Sequence, residues 1–309
     1  MKRSLQVPPL AAPERLDKFL IRHFPRSSRH YWRDRLEATV RVDGKKAAKG
    51  RMLWGGERIE LLEEPLEENP ALRGNPKLPL RILYQDEYLF IVEKPAGLPC
   101  HPLRRTERDT LAQAVVAAFP EQARLRPARE AGLVHRLDNE TSGLVLFARD
   151  AETLARLRRL SQAGKIEKIY LALVIGRLTG RGEIEHPIGH HPKNRKKMCA
   201  ATNPAEAKRL KARPAHTEYR VLQAGIDASL LRVKIRVGAR HQIRVHLASL
   251  GHPLCGDRLY GAAGPAPRYL LHAAELRFLH PWSGKKIRVA VEPPQEFGEA
   301  RDRLVSRSN

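Results

Sequence analysis

The sequence predicts an α+β protein: a small N-terminal block followed by a larger domain built on a mixed, mainly antiparallel sheet. Three observations carry that prediction. Strand-like segments dominate after residue 80, and the helices fall between them irregularly, unlike the regular strand–helix alternation of a parallel sheet. The stretch EEPLEENPALRGNPKLP, from Glu63 to Pro79, is rich in prolines and acids without periodicity and separates off the first block. The 309 residues leave room for two cores, and 42% hydrophobic with 29% charged residues is globular rather than disordered composition.

Taken in order, residues 1–13 are expected as a tail. ERLDKFLIRHF then sets Leu16, Phe19, Leu20 and Phe24 at helical spacing, and SSRHYWRDRLEA reads as a second helix with Ser27 or Ser28 as N-cap. TVRVDGKKAAKGRMLWGGERIELL alternates like strands and turns at Asp43-Gly44, completing a block over 14–62, with 63–79 as linker. In the main domain, expected over 80–296, LRILYQD and YLFIVEKP are strands about a turn and TLAQAVVAAF is a short helix. GLVLFARD is a buried strand, and AETLARLRRLSQAG is an amphipathic helix ended by Gly164. KIYLALVIGRL, HTEYRVLQAG and SLLRVKIRVG are further strands, HQIRVHLASLG is a helix, and 297–309 is a second tail. The basic stretch from Gly189 to Pro214 is expected as an extended loop, either a surface insertion or a strap along a nucleic-acid backbone.

Lys and Arg number 57 against 34 Asp and Glu, a formal charge of +23 that speaks of partners rather than fold and points first to a phosphate backbone. An anionic membrane surface and a merely basic exterior are the alternatives. Lys18, Arg22, Arg26, Arg29, Arg33 and Arg35 cluster on the first two helices, as a solvated face or a phosphate-binding one. No run approaches the roughly 18 to 20 apolar residues of a membrane span, and the N-terminus lacks an apolar signal core, so a cytoplasmic protein without membrane association is expected. Cys100, Cys199 and Cys255 fit a reducing compartment and make neither a disulfide framework nor a zinc knuckle. ATP, NAD and zinc find no supporting motif, and His190, His191 and Cys199 lack a second pair of ligands. No cofactor and no metal are expected.

Two dense polar stretches remain. In GLVHRLDNETSGLVLF, Gly132 to Phe147, a strand enters, a loop of charged and hydroxyl groups follows, and a buried strand leaves. Such a loop is either a preorganised site on rigid supports or an Asx-type turn capped by Asp138. In GARHQIRVHLASLGHPLCGDRLYG, Gly238 to Gly261, Ile243, Leu247 and Leu250 share one helical face. Arg240 and Arg244 share another, within reach of a carboxylate or phosphate. Its histidines have no acidic or thiol partner at helical spacing, so core and capping roles are expected.

Together these stretches resemble the RluA family of pseudouridine synthases. The signature His-Arg-Leu-Asp-x-x-Thr-Ser-Gly-Leu is matched at every fixed position from His135 to Leu144. The later Gly-Arg-x-His-Gln-Ile-Arg-x-His-Leu-Ala-x-x-Gly-His-Pro, followed by Gly-Asp-x-x-Tyr-Gly, is matched from Gly238 to Gly261 with one departure: Ala239 stands where arginine is common. Glu93 to Leu98 with His101-Pro102, and Lys168 to Ala172, extend the similarity. The first block resembles the S4 RNA-binding module through Arg15-Leu16-Asp17 and Val42-Asp43-Gly44-Lys45, and the whole resemblance runs from about Glu14 to about Pro293.

The resemblance implies the pseudouridine synthase fold behind an S4-type module, and an isomerase of the intramolecular-transferase class acting on structured RNA. The bond from ribose to uracil nitrogen is broken, the base is turned, and a carbon–carbon bond is made. That chemistry calls for an ionised carboxylate at the ribose. By resemblance Asp138 is that carboxylate, Arg244 the cation that counters its desolvation, and Tyr170 the ring that meets the uracil. Arg136 is the candidate for holding the gap left by a flipped nucleotide. Further RNA contacts are expected from His135, Thr141, His241 and Gln242, and from the basic Arg22, Arg26, Arg29, Arg33, Lys196 and Lys197. Large-subunit (23S) ribosomal RNA is the expected target and transfer RNA the alternative, for a monomer without nucleotide cofactor. A non-catalytic ribosome-assembly factor is the competing class, against which the presence of Asp138, Tyr170 and Arg244 speaks. A hydrolytic glycosidase would need a second acid, for which Glu140 is the only near candidate.

Overall fold

The structure, a computed structural model, describes residues 3–24, 27, 29–64, 72–104, 106–261 and 266–305, without the side chains of 29 and 30. The chain divides into two compact units, Met1–Ala71 and Leu72–Asn309.

The smaller unit contains β1 (Arg3–Gln6), β2 (Glu14–Arg15), α1 (Leu16–His23), α2 (Arg29–Thr39), β3 (Val40–Val42), β4 (Lys45–Lys46), β5 (Met52–Leu53) and β6 (Arg58–Leu61). One antiparallel sheet runs β1-β6-β3-β4, and β2 pairs with β5. The apolar faces of the helices, Leu16, Phe19 and Leu20 with Tyr31, Trp32 and Leu36, close over Val40, Val42, Ile59 and Leu61 as one core. Helix α1 starts at Leu16, the first residue of its apolar spacing and two residues into the segment read as helical, because Glu14 and Arg15 are drawn into pairing with Leu53 and Met52. Residues 3–6, expected within a tail, are zipped onto β6, and Val7 behind them is buried; four mostly exposed strand residues leave little sequence signal. Of the two expected caps, Ser28 lies outside the described residues, while the Ser27 hydroxyl donates to Phe24 O and accepts from the Trp32 indole. The expected linker falls partly on 65–71, outside the described residues. Residues 72–79 belong to the larger unit, where Leu72 meets the core and Asn75 N donates to Gln113 O at 2.9 Å.

The larger unit contains β7 (Arg81–Gln85), β8 (Leu89–Lys94), α3 (Leu111–Ala118), β9 (Ser142–Ala148), α4 (Ala151–Gln162), β10 (Glu167–Ile175), β11 (Arg181–Ile184), β12 (Ile188–His190) and β13 (Met198–Ala200). It continues with α5 (Pro204–Leu210), β14 (Thr217–Ala224), β15 (Ala228–Ile235), α6 (Gln242–Ser249), β16 (Leu271–Leu279), β17 (Lys286–Ala290) and α7 (Gln295–Val305). Among the described residues a nine-stranded sheet runs β11-β14-β15-β10-β16-β9-β8-β7, with β17 beside β16. Among the described strands only β16 and β9 pair in parallel, so the expected mixed, mainly antiparallel sheet forms. Strand β9 is buried along its whole length because both faces are covered: Val145 and Phe147 pack with α3, and Leu144, Leu146 and Ala148 with α4. At its start Gly143 has φ +112°, and a Cβ there would lie 2.2 Å from Ala273 O. Glycine therefore lets β9 close on β16 and seats the preceding polar loop on the sheet.

Three segments differ from expectation. The basic stretch 189–214 is not an extended loop but the β12–β13 hairpin followed by α5, held by an apolar cluster of Ile188, Met198 and Val245. Residues 297–305, expected within a tail, are helical: α7 runs to Val305 and buries Phe297, Ala300 and Val305 against Leu173, Ala228 and Leu230, while 306–309 lie outside the described residues. Gly132–Val134 forms no strand; Leu133 makes a single bridge to Phe147.

Candidate active site

A cleft of about 1110 Å³ lies over the sheet, lined by the loop Val134 to Thr141, by Lys168 and Tyr170 of β10, and by Gly238 to Arg244 with Asp257 and Tyr269. The loop backbone is fixed from below. Lys94, without solvent exposure, donates from Nζ to Pro95 O, Leu98 O and Asn139 O at 2.8 Å each, while burial pushes its pKa down to about 8. Asn139 O also accepts from Gly97 N at 2.9 Å, and Thr141 N closes the turn onto Asp138 O at 3.1 Å. Cys100 clips Leu137, accepting from its N–H at 3.3 Å and donating to its carbonyl at 3.4 Å. The backbone around Asp138 is thus pinned while its side chain, 26% exposed, faces the cleft.

Arg244 comes from the first turn of α6, which starts sharply: His241 takes a left-handed conformation at φ 56°, and Gln242 Oε1 accepts from Ala239 N at 2.8 Å. Its Nε and Nη2 donate to Asp257 Oδ2 and Oδ1 at 2.8 and 2.9 Å, leaving Nη1 to reach Asp138 Oδ2 at 3.3 Å. The Tyr269 and Tyr260 rings lie 4.1 and 5.2 Å from the guanidinium carbon. Burial opposes the charge, but the Asp257 hydrogen bond and the neighbouring charges outweigh it, and the Arg244 pKa lies above its ordinary value. A fixed, fully ionised cation therefore faces the free carboxylate.

Tyr170, 6% exposed, lines the same cleft; burial, then the Asp138 and Cys100 charges, raises its pKa so that the phenol keeps its proton. His135 props the loop from behind, accepting from Leu146 N at 3.3 Å, and burial pushes its pKa down to about 3. Thr141 donates to Tyr269 OH at 3.4 Å. The Tyr260 hydroxyl accepts from Met198 N at 2.8 Å and shares a hydrogen bond with His241 Nδ1 at 3.0 Å. His241 Nε2 is left 3.9 Å from Asp138, and burial pushes the imidazole down to about 4. Gln242 is 3% exposed and spends its amide on His216 O and Thr217 Oγ1, a scaffold for α6.

The cations separate into groups. Arg136 is exposed at the cleft, with Nη1 3.4 Å from His101 Nε2. Arg240 does not share a helical face with Arg244, since α6 begins only at Gln242; it donates instead to Arg195 O and Lys196 O in the basic hairpin. There Lys196 is exposed and Lys197 Nζ lies 5.4 Å from the Tyr260 ring centre. Arg22 and Arg33 belong to the smaller unit, exposed and close to Glu14 and Asp34 respectively. Arg26 and the Arg29 side chain lie outside the described residues. Residue-by-residue reading missed the work of Lys94, Cys100, Asp257 and Tyr269. A lysine closing the apolar strand LFIVEK was a usable signal for the first, whereas PAPRYLLH around Tyr269 carries none.

Residues 88–249 match the family model described as RNA pseudouridylate synthase. The protein named ribosomal large subunit pseudouridine synthase D of Nitrosomonas europaea is 37% identical over 91% of this chain and 82% of its own length. Its namesake from Xanthomonas campestris pv. campestris is 34% identical, over 96% of this chain and 90% of its own. Among solved structures, human RNA pseudouridylate synthase domain containing 1 aligns at 27% identity with a TM-score of 0.56, over 70% of this chain and 84% of that one.

Proposed function

The chain belongs to the RNA pseudouridylate synthase family, isomerases that act on RNA, and we propose that its target is large-subunit (23S) ribosomal RNA and that Asp138 is its reacting carboxylate. The names of the two bacterial relatives support the target. One observation carries the catalytic reading: Asp138 has a pinned backbone but an open side chain, with one charge-assisted contact, at 3.3 Å, from an arginine anchored elsewhere.

Breaking the bond between ribose C1′ and uracil N1 leaves electron deficiency at the sugar. A carboxylate beside it stabilises that charge, attacks it or removes a proton. The guanidinium of Arg244 offsets the loss of water around the Asp138 carboxylate when a base is bound. The Tyr170 ring gives the uracil a surface to stack on while it turns, and its firmly held proton suits a relay rather than a phenolate base. The proton lost from carbon 5 and the one gained at N1 balance, so the isomerisation has no net redox change. Reaching the site requires the nucleotide to leave its stack, and Arg136, exposed at the cleft, is suited to hold the vacated position. The smaller unit serves as an S4-type module over 14–62, with Arg22 and Arg33 turned to phosphates.

The test is to map pseudouridines in ribosomal RNA from cells with and without the protein, then to complement with Asp138→Asn. Sites lost on deletion should return with the wild-type chain and stay absent with the variant. Restoration by Asp138→Asn would sink the assignment.

A further inference from the structure

We propose that Tyr260 is a positioning residue that makes the basic β12–β13 hairpin part of the active site, so that RNA held by the hairpin sets His241 and Arg244 against Asp138. The inference rests on Asp138 being the reacting carboxylate.

Tyr260 joins the two regions through several independent contacts. Its hydroxyl accepts from Met198 N on the hairpin and is hydrogen-bonded to His241 Nδ1 beside Asp138. Its ring lies 5.2 Å from the Arg244 guanidinium carbon and 5.4 Å from Lys197 Nζ. Its backbone N–H donates to Asp257 O at 3.1 Å and lies 3.3 Å from Asp257 Oδ1, on the carboxylate that holds Arg244. The hairpin is tied to the same helix a second time, since Ile188 and Met198 pack against Val245, the residue after Arg244. Arg240 grips its carbonyls at Arg195 and Lys196.

The segment 193–197, KNRKK, carries four cations and no acid, so a phosphate backbone is the partner its charge fits. Lys197 and Arg244 share one aromatic ring, so the hairpin lysine and the arginine beside Asp138 lean on the same tyrosine. A phosphate held by Lys196 and Lys197 steadies the hairpin, and with it the Met198 N–H that sets the Tyr260 hydroxyl against His241. A tyrosine that only propped the hairpin would affect RNA affinity alone. A coupling residue affects turnover, and does so through the hairpin lysines.

A double-mutant cycle on the full chain, with a transcript of the 23S region as substrate, separates these roles. Tyr260→Phe keeps the ring and cancels both hydroxyl bonds, and should lower kcat about tenfold. Lys196→Ala with Lys197→Ala should raise KM in both backgrounds. These lysine changes should lower kcat about fivefold in the wild-type background and leave it unchanged beside Tyr260→Phe. Additive effects on kcat, or lysine effects confined to KM, overturn the proposal. Met198→Pro, read against Met198→Ala, is the second variant: both lose the side chain packed on Val245, and only proline also removes the N–H given to Tyr260 from an edge strand. It should reproduce the loss of kcat with Tyr260 intact, and an unchanged kcat overturns the coupling. An active Asp138→Asn would instead refute the catalytic assignment, whatever the cycle shows.

Discussion

Two carboxylates approach the guanidinium of Arg244, and their surroundings give them different work. Asp257 is 1% exposed and takes both Nε and Nη2, and the backbone N–H of Leu259 adds to its Oδ1 at 3.1 Å. With Tyr260 N at 3.3 Å from Oδ1, four donors meet its two oxygens and compensate the buried charge. Asp138 is 26% exposed and receives a single 3.3 Å contact from Nη1. Its rigidity is supplied through the backbone by Lys94, Cys100 and Thr141. One aspartate therefore anchors the arginine, and the other is steadied around its carboxylate and left open to the cleft.

Substitutions that treat the two aspartates alike should expose this division. The largest effect is expected for Asp138→Asn, which keeps shape and removes charge. Turnover should fall at least about a thousandfold with RNA binding retained, read as pseudouridine formation beside a filter-binding titration. Arg244→Lys should follow at about a hundredfold, because an ammonium cannot fork onto Asp257 while reaching Asp138. Asp257→Asn should act on both stability and rate, costing about 3 kcal/mol in urea unfolding and about tenfold in turnover, since it leaves Arg244 buried with a weaker partner.

Acid should loosen the supports of both loops. His246, on the helix of Arg244, and His272, paired with Ser142 at 2.9 Å, have no solvent exposure, and burial pushes both from about 6.5 down to about 4. Between those values the unfolded chain binds more protons than the folded one. The stability these neutral rings contribute is therefore full above about pH 6.5 and is lost as pH falls through about 4, on the order of 3 kcal/mol for each. A flat urea midpoint between pH 7 and pH 4.5 would contradict this. The smallest effect belongs to the other unit: Arg22→Ala with Arg33→Ala should weaken RNA binding a few-fold and reduce the slope of log affinity against log salt by about 1.5. An unchanged slope would remove these arginines from the RNA interface.

The site was legible where side-chain pattern and backbone pattern coincide. The loop from His135 to Ser142 is a polar interruption between apolar segments, although its pattern alone fits a capped turn as well, and the family resemblance is what singles out Asp138 within it. The main strands were legible too, because β8, β9 and β10 are nearly continuous apolar runs. What stayed hidden depends on contacts distant in sequence. The β12–β13 hairpin has three-residue strands set in a basic stretch, and its order comes from Val245 and Tyr260, 45 or more residues away. Helix α7 contains Gly298 and buries only Phe297, Ala300 and Val305, a stripe too thin to read in a charged sequence. Arg240 and Arg244 are four residues apart, yet the left-handed turn at His241 sends one to the hairpin and the other to the aspartates.

The division of labour between the two aspartates is tested most directly by single-turnover pseudouridine formation with saturating enzyme, comparing Asp138→Asn and Asp257→Asn on one 23S transcript. Asp138→Asn should form no measurable product while binding the RNA, and Asp257→Asn should convert it slowly but completely. Product from Asp138→Asn at a rate equal to or above that of Asp257→Asn would contradict the account.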